Sequence, residues 1–340
     1  MNKLTKLGVS ALCGSLAAIS TANAGDLTVT GGVDMSWISA DDEATGNPLG
    51  MGSNLTFNGS GELDNGWSVG LSVAHTNANA YSATNVTVGV PGLGDFRISQ
   101  GVSGSGIDRM DDMTPNVWEE AYGTGLGTGI DTVGGVSGSA NIELTLADGM
   151  LPSGLTARVA YAPDSGGSSS DKGSSGAKAG VEGAGWDVTL EASSDIIGVD
   201  GLSLYGGMSS VSVDQGTATY SGDRSEKTIG AKYAVGGFTL GYQWSEEDNG
   251  RAAATSQYEN DAYGITFSVN DDLSIGYNHY ESEQTGSGSI TTEADSIQIA
   301  YTMGGASIRL AEAKVDNAKY NNTDATADRD MTTLSVSLAF

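Results

Sequence analysis

Residues 263–277 read YGITFSVNDDLSIGY, and they decide the fold. Tyr263, Ile265, Phe267 and Val269 share one parity, meet Asn270-Asp271-Asp272, and return as Leu273, Ile275 and Tyr277. Period-two alternation on both sides of a turn cluster predicts two half-buried antiparallel strands in a hairpin. The unit recurs in both directions. Ile297, Ile299 and Tyr301 meet Gly304-Gly305 and return as Ala306, Ile308 and Leu310. Phe238, Leu240, Tyr242 and Trp244 follow Ile229, Ala231 and Tyr233 across Gly236-Gly237. Near the start, Leu27, Val29, Val33, Met35 and Trp37 alternate with Thr28, Thr30, Asp34 and Ser36.

Carried to the last residue, the pattern predicts sixteen strands, an even number that puts both ends on one side. Predicted connections are short at 64–66, 91–94, 147–153, 236–237, 270–272 and 303–305. They are long at 38–50, 101–138, 162–183, 209–223, 245–257, 281–294 and 314–329; a further strand at 177–182 would make the count odd. Pro48, Pro91, Pro115, Pro152 and Pro163 all fall in connections, as a hydrogen-bonded ladder demands. Charges within the predicted strands, such as Asp34, Glu143, Asp187 and Glu191, lie opposite the apolar face, and Glu312 breaks parity only at a strand end. A charge facing lipid near the midplane costs ~2–4 kcal/mol, which explains the pattern. Trp37, Trp67, Trp186, Tyr161, Tyr233 and Tyr242 cluster near strand ends on the apolar face, where interfacial girdles sit. The expected fold is all-β: a 16-stranded antiparallel up-and-down transmembrane β-barrel.

Composition agrees. The chain has 51 Gly and 5 Pro in 340 residues, and 42 Asp+Glu against 15 Lys+Arg. A net charge of −27 argues against a nucleic-acid partner, which needs a basic face. Lys3 and Lys6 precede a short apolar stretch, and Ala22-Asn23-Ala24 supplies a small-x-small cleavage pattern. Residues 1–24 are therefore expected to be a signal peptide cut between Ala24 and Gly25, with 25–340 forming one barrel domain. Cys13 would leave with the signal, and thiol chemistry with it.

The chain resembles a Gram-negative general porin of the alphaproteobacterial sort. The residues that carry the resemblance are the leader, Leu27-Thr28-Val29-Thr30-Gly31-Gly32-Val33, Gly94-Asp95-Phe96-Arg97-Ile98 before a long third loop, and Ser335-Val336-Ser337-Leu338-Ala339-Phe340. The resemblance implies export through the periplasm to the outer membrane, among lipid and lipopolysaccharide, with Phe340 read by the barrel-assembly machinery. It also implies a homotrimer and a third loop, 101–138, folded into the lumen as a constriction.

Sixteen tilted strands give a diameter of about 32 Å, too wide for side chains to fill, so the lumen is expected to be aqueous. The third loop carries Asp108, Asp111, Asp112, Glu119, Glu120 and Asp131 with Arg109 as its single base. Arg97, Arg158, Lys232 and Arg309 are the candidate opposing basic wall. Such a constriction would pass small hydrophilic solutes and ions by passive diffusion, with moderate cation preference. A substrate-specific channel, or a non-conducting adhesive or structural barrel, is the alternative.

Other motifs carry less. Gly123 to Gly129 alternates glycines but lacks the strand-then-helix setting of a nucleotide loop. Acidic clusters at Asp41-Asp42 and Glu246-Glu247-Asp248 could hold Ca²⁺, though solvated loops explain them as well and no other cofactor is expected. His75 and His279 share the lipid-facing parity, which argues against an enzyme.

Overall fold

In a computed structural model, sixteen antiparallel strands close into one barrel in simple up-and-down order, with β1 beside β16. The structure describes residues 24–40, 48–76, 83–100, 103–123, 125–166, 182–213, 220–252, 257–285, 289–324 and 326–339. The strands are β1 Ala24–Ala40, β2 Leu49–Glu62, β3 Ser68–Thr76, β4 Ala83–Val90, β5 Gly94–Gln100 and β6 Asn141–Leu146. They continue as β7 Leu155–Ala162, β8 Glu182–Ala192, β9 Leu202–Val213, β10 Arg224–Val235 and β11 Phe238–Asp248. The last five are β12 Gln257–Ser268, β13 Leu273–Thr285, β14 Ile290–Met303, β15 Ala306–Asp316 and β16 Arg329–Ala339. Most of the signal region, residues 177–181 of the candidate extra strand at 177–182, Asp41, Asp42 and Phe340 lie outside the described residues, and Glu182 begins β8.

The seam is set by pairing from Gly32↔Ala339 to Ala40↔Met331. Tight turns on one rim need backbone that only glycine adopts cheaply. Gly236 and Gly304 sit at φ +59° and +61° between paired Val235↔Phe238 and Met303↔Ala306, as two-residue hairpins require. The 194–201 connection on the same rim, long for a turn, contains one helical turn, α1 Ser194–Ile197, closed by Gly198 at φ +78°.

The alternation sorts by face as expected. Ile229 and Ile297 are each 61% exposed, and Trp37, Trp186, Tyr242 and Leu310 are exposed beside them. A lipid solvent explains why so much apolar surface stays uncovered. Aromatic contacts mark both edges of this band. Phe238 stacks on Phe267 at 4.4 Å by the short turns, while Tyr263 meets Tyr277 and His279 towards the long loops.

One expectation needs correction. The stretches 245–257 and 281–294 were expected to be loops, yet β13 runs to Thr285 and β14 begins at Ile290, with Glu281↔Glu293 and Glu283↔Thr291 paired. β11 and β12 likewise pair as far as Asp248↔Gln257. Above the girdle both faces meet water, so hydrophobic alternation disappears while backbone pairing continues. Outward acids occur there too: Asp261 accepts from the Tyr242 hydroxyl, and Asp295 from Tyr277 at 2.5 Å.

Candidate pore constriction

The third loop does not hang free. Its path along the inner wall is written in small residues on the inward parity. The 3₁₀ turn Gly106–Met110 buries Ile107 and Met110 completely against β7 to β10. Ile107 lies over Gly207, and Gln243 on β11 donates to the Met110 carbonyl at 2.8 Å. Pro115 then sits on Gly241 and Gly264, where any Cβ would strike it, and Val117 covers Gly276. The Gln298 side-chain oxygen accepts from the backbone of Val117, Trp118 and Glu119 at 3.3, 2.9 and 3.3 Å. Leu126 ends the outward run in a cluster with Ala313, Val315 and Met331.

The return run is pinned by carboxylates. Glu226, 1% exposed, accepts from Gly134 and Gly135 at 2.9 and 2.7 Å. Asp187, fully buried, accepts from Ile107 and Val136 at 3.1 Å each, tying both runs of the loop to one residue. Glu143 accepts from Gly106 at 2.7 Å. Gly106 and Gly135 have φ of +60° and +55°, and a Cβ on either would collide with Asp187. Positive-φ glycines that turn backbone N–H groups onto a carboxylate form an anion nest, with hydrogen bonds stronger than neutral ones.

The candidate acids play different parts. Asp108 is spent inside the loop, accepting from Gly104 and from Ser137 at 2.8 Å. Asp112 is exposed. Burial and then neighbouring Asp112 push the Asp111 carboxyl up to about 8. The same two causes push Glu120, which takes a hydrogen bond from Asn116, up to about 9. Burial also raises Glu119 and Asp131. Asp111 and Glu120 therefore keep their protons at neutral pH, and the loop carries less charge than its formula suggests.

The four candidate bases are not brought together as one wall. Arg97 on β5 donates to the Gly104 carbonyl at 3.2 Å, and Arg158 on β7 pairs with Glu191. Lys232 on β10 lies beneath the loop, 3.9 Å from the Met113 sulfur and 5.9 Å from the centre of the Tyr205 ring. Arg309 on β15 pairs with Asp34, donates to Ser335 at 2.9 Å and lies 5.1 Å from the Trp118 ring. Two further bases are also paired, Arg109 with Glu143 and Arg224 with Glu226 at 2.9 Å. Across the lumen from the loop, the inward positions of β1 to β4 include Thr28, Thr30, Thr56, Asn58, Ser72 and Thr87, which are hydroxyls and a carboxamide.

Sequence reasoning missed the anchors Glu226 and Gln298 and the glycine track. The available signal was Gly207, Gly241, Gly264 and Gly276 on the polar parity, where a solvated wall has no need of glycine. The acidic cluster at 246–248 does not converge, because successive strand residues alternate faces. Glu246 lies 3.5 Å from Lys227, buried Glu247 points inward, and Asp248 accepts from Gly250 and Gln257 at 2.9 Å each. Among the described residues no three His, Cys, Asp or Glu side chains gather as a metal would need. His279 lies 2.8 Å from Asp295, but on the outward face of the wall, away from the lumen.

A closed wall that is apolar outside and polar inside, with a loop bound to its inner face, defines a transmembrane β-barrel channel. A profile of the Gram-negative porins matches residues 8–306, and the chain belongs to that family. The protein is accordingly a bacterial outer-membrane barrel. No curated protein matches the chain. Among solved structures, Salmonella typhi OmpF in complex with daunomycin is 13% identical, with 93% of this chain and 98% of that one covered and a TM-score of 0.69. A loop-deletion mutant of Vibrio cholerae OmpT is 13% identical over 94% and 100% of the two chains, with a TM-score of 0.63. A mutant of the Rh. blastica porin is 15% identical over 93% and 100%, with a TM-score of 0.60. At these identities the likeness is one of fold.

Proposed function

We propose that the barrel is a passive diffusion channel for small hydrophilic solutes and ions, with a moderate preference for cations. The observation that carries this reading is the asymmetry of the lumen. Asp112 is exposed on the loop, while Arg158 and Arg309 among the candidate bases are paired with Glu191 and Asp34. A low-dielectric tube focuses such a field and concentrates counter-ions within about a Debye length, ~10 Å at 0.1 M salt. Cation preference should therefore weaken as salt rises. In a planar bilayer under a KCl gradient, the reversal potential should show K⁺ favoured over Cl⁻. Above about pH 9, where Asp111 and Glu120 are charged as well, neutralising Asp111, Asp112, Glu119 and Glu120 together should move it towards the anion side. An anion-selective wild-type channel at low salt would contradict the assignment.

The working assembly in this reading is a homotrimer built through the early strands. β3 to β7 have only 9, 8, 7, 6 and 8 residues, against 11 to 14 for β9 to β16, so one side of the wall is low. A neighbouring barrel would cover that side. Native mass spectrometry in mild detergent should show trimers, and monomers alone at every concentration would exclude this arrangement.

A further inference from the structure

Beneath the first run of the loop, towards the short turns, the inner wall holds a recess of about 400 Å³. That lies within the ~300–1,000 Å³ typical of small-molecule sites. Asn116 and Val117 roof it, and the inward faces of β12 to β15 form its back. In this sector the loop lies directly on Gly264 and Gly276, where the absence of a side chain leaves room for it. One rung lower the inward residues are small but no longer glycine, and the space opens.

The register makes that rung a row. Ser268 pairs with Ser274, Ser274 with Ala300, and Ala300 with Arg309. Thr302↔Ser307 forms the rung below, its two hydroxyls 3.5 Å apart. Neighbouring strands lie about 4.8 Å apart, so hydroxyls line the back of the recess at that spacing. Asp271 and Asp272 border it at the β12–β13 turn, and Arg309, beside Trp118, borders it on the far side.

We propose that this recess is a subsite for neutral polyhydroxylated solutes of monosaccharide size, which deepens the diffusion-channel reading and rests on it. A sugar hydroxyl is both donor and acceptor, and so is each serine and threonine hydroxyl on these rungs. Asp271 and Asp272 add acceptors, and the Asn116 amide adds both kinds. An anion is disfavoured because Arg309 already spends its charge on Asp34. A cation would use the turn acids alone and leave the hydroxyl rows idle.

The test is single-channel recording of the full chain in a planar bilayer, with D-glucose added to either side. Glucose should produce excess current noise or brief interruptions, at lower concentration when added from the short-turn side. The triple variant Ser268→Ala, Ser274→Ala, Thr302→Val should shorten the glucose residence time about tenfold, the loss expected when three hydroxyl contacts go together. Its open conductance and reversal potential should match the wild type, which shows that the barrel is intact. Normal conductance without glucose-dependent noise would overturn the subsite while leaving the channel standing, as would equal noise in the variant. So would interruption by L-lysine but not by glucose. A wild-type barrel that conducts no ions would instead overturn the channel reading itself.

Discussion

Replacing Gly264 with leucine should lower single-channel conductance to roughly half or less, because side chains at the narrowest point of a pore set its barrier. The Pro115 backbone rests directly on Gly264, and even a methyl group there would meet the Pro115 carbonyl. Pro115 cannot yield towards the wall, so the loop must move into the lumen. Overpacking of this kind costs about 1–3 kcal/mol when a packed contact has to open. The barrel itself should survive, since the outward face of β12 and its ladder are untouched. Far-UV circular dichroism of the variant should match the wild type. Gly241→Val should act in the same direction, because Gly241 pairs with Gly264 and contacts the same proline. Unchanged conductance in both variants would mean that the loop does not lie where these glycines place it.

Cation selectivity should rise as pH increases from 7 to 10. Burial and Asp112 together hold Asp111 up to about 8 and Glu120 up to about 9. Both are neutral at pH 7, and each gains a negative charge as pH passes its own value. The permeability ratio of K⁺ to Cl⁻ should therefore increase about two- to threefold across this window at low salt, where screening is weakest. The double variant Asp111→Asn, Glu120→Gln should flatten the curve. Proton linkage gives the sign for the loop's own stability. A carboxyl whose folded value is raised binds more protons when docked than when free, so docking weakens as pH rises from the ordinary carboxylate range through 8 to 9. Open-channel noise should grow over the same interval. A selectivity that is constant from pH 7 to 10 would show that these two carboxyls do not face the ion path.

Fold and chemistry were legible to different depths in this sequence. Strand number, closure and membrane placement follow from local pattern alone. Tyr263, Ile265 and Phe267 on one parity and Gly236-Gly237 at a turn report their own surroundings, because a residue facing lipid must be apolar whatever its distant neighbours are. The same logic explains where local reading stopped. Above the girdle both faces of β13 and β14 meet water, so the pairing of Glu281 with Glu293 leaves no hydrophobic trace.

The constriction belonged to the tertiary structure. The loop's position depends on Glu226, Asp187 and Gln298, which lie 51 to 181 residues away in sequence from the backbone groups they hold. Charge counts could not show that Arg158 belongs to Glu191 and Arg309 to Asp34, since pairing across a barrel depends on register and rotamer. They also could not show that Asp111 and Glu120 stay protonated, because burial is set by what packs over a carboxyl. Sequence determined which face each residue shows, a one-residue property. Only the closed barrel decided which inward residues meet, because that depends on how a 38-residue loop lies along the inner wall.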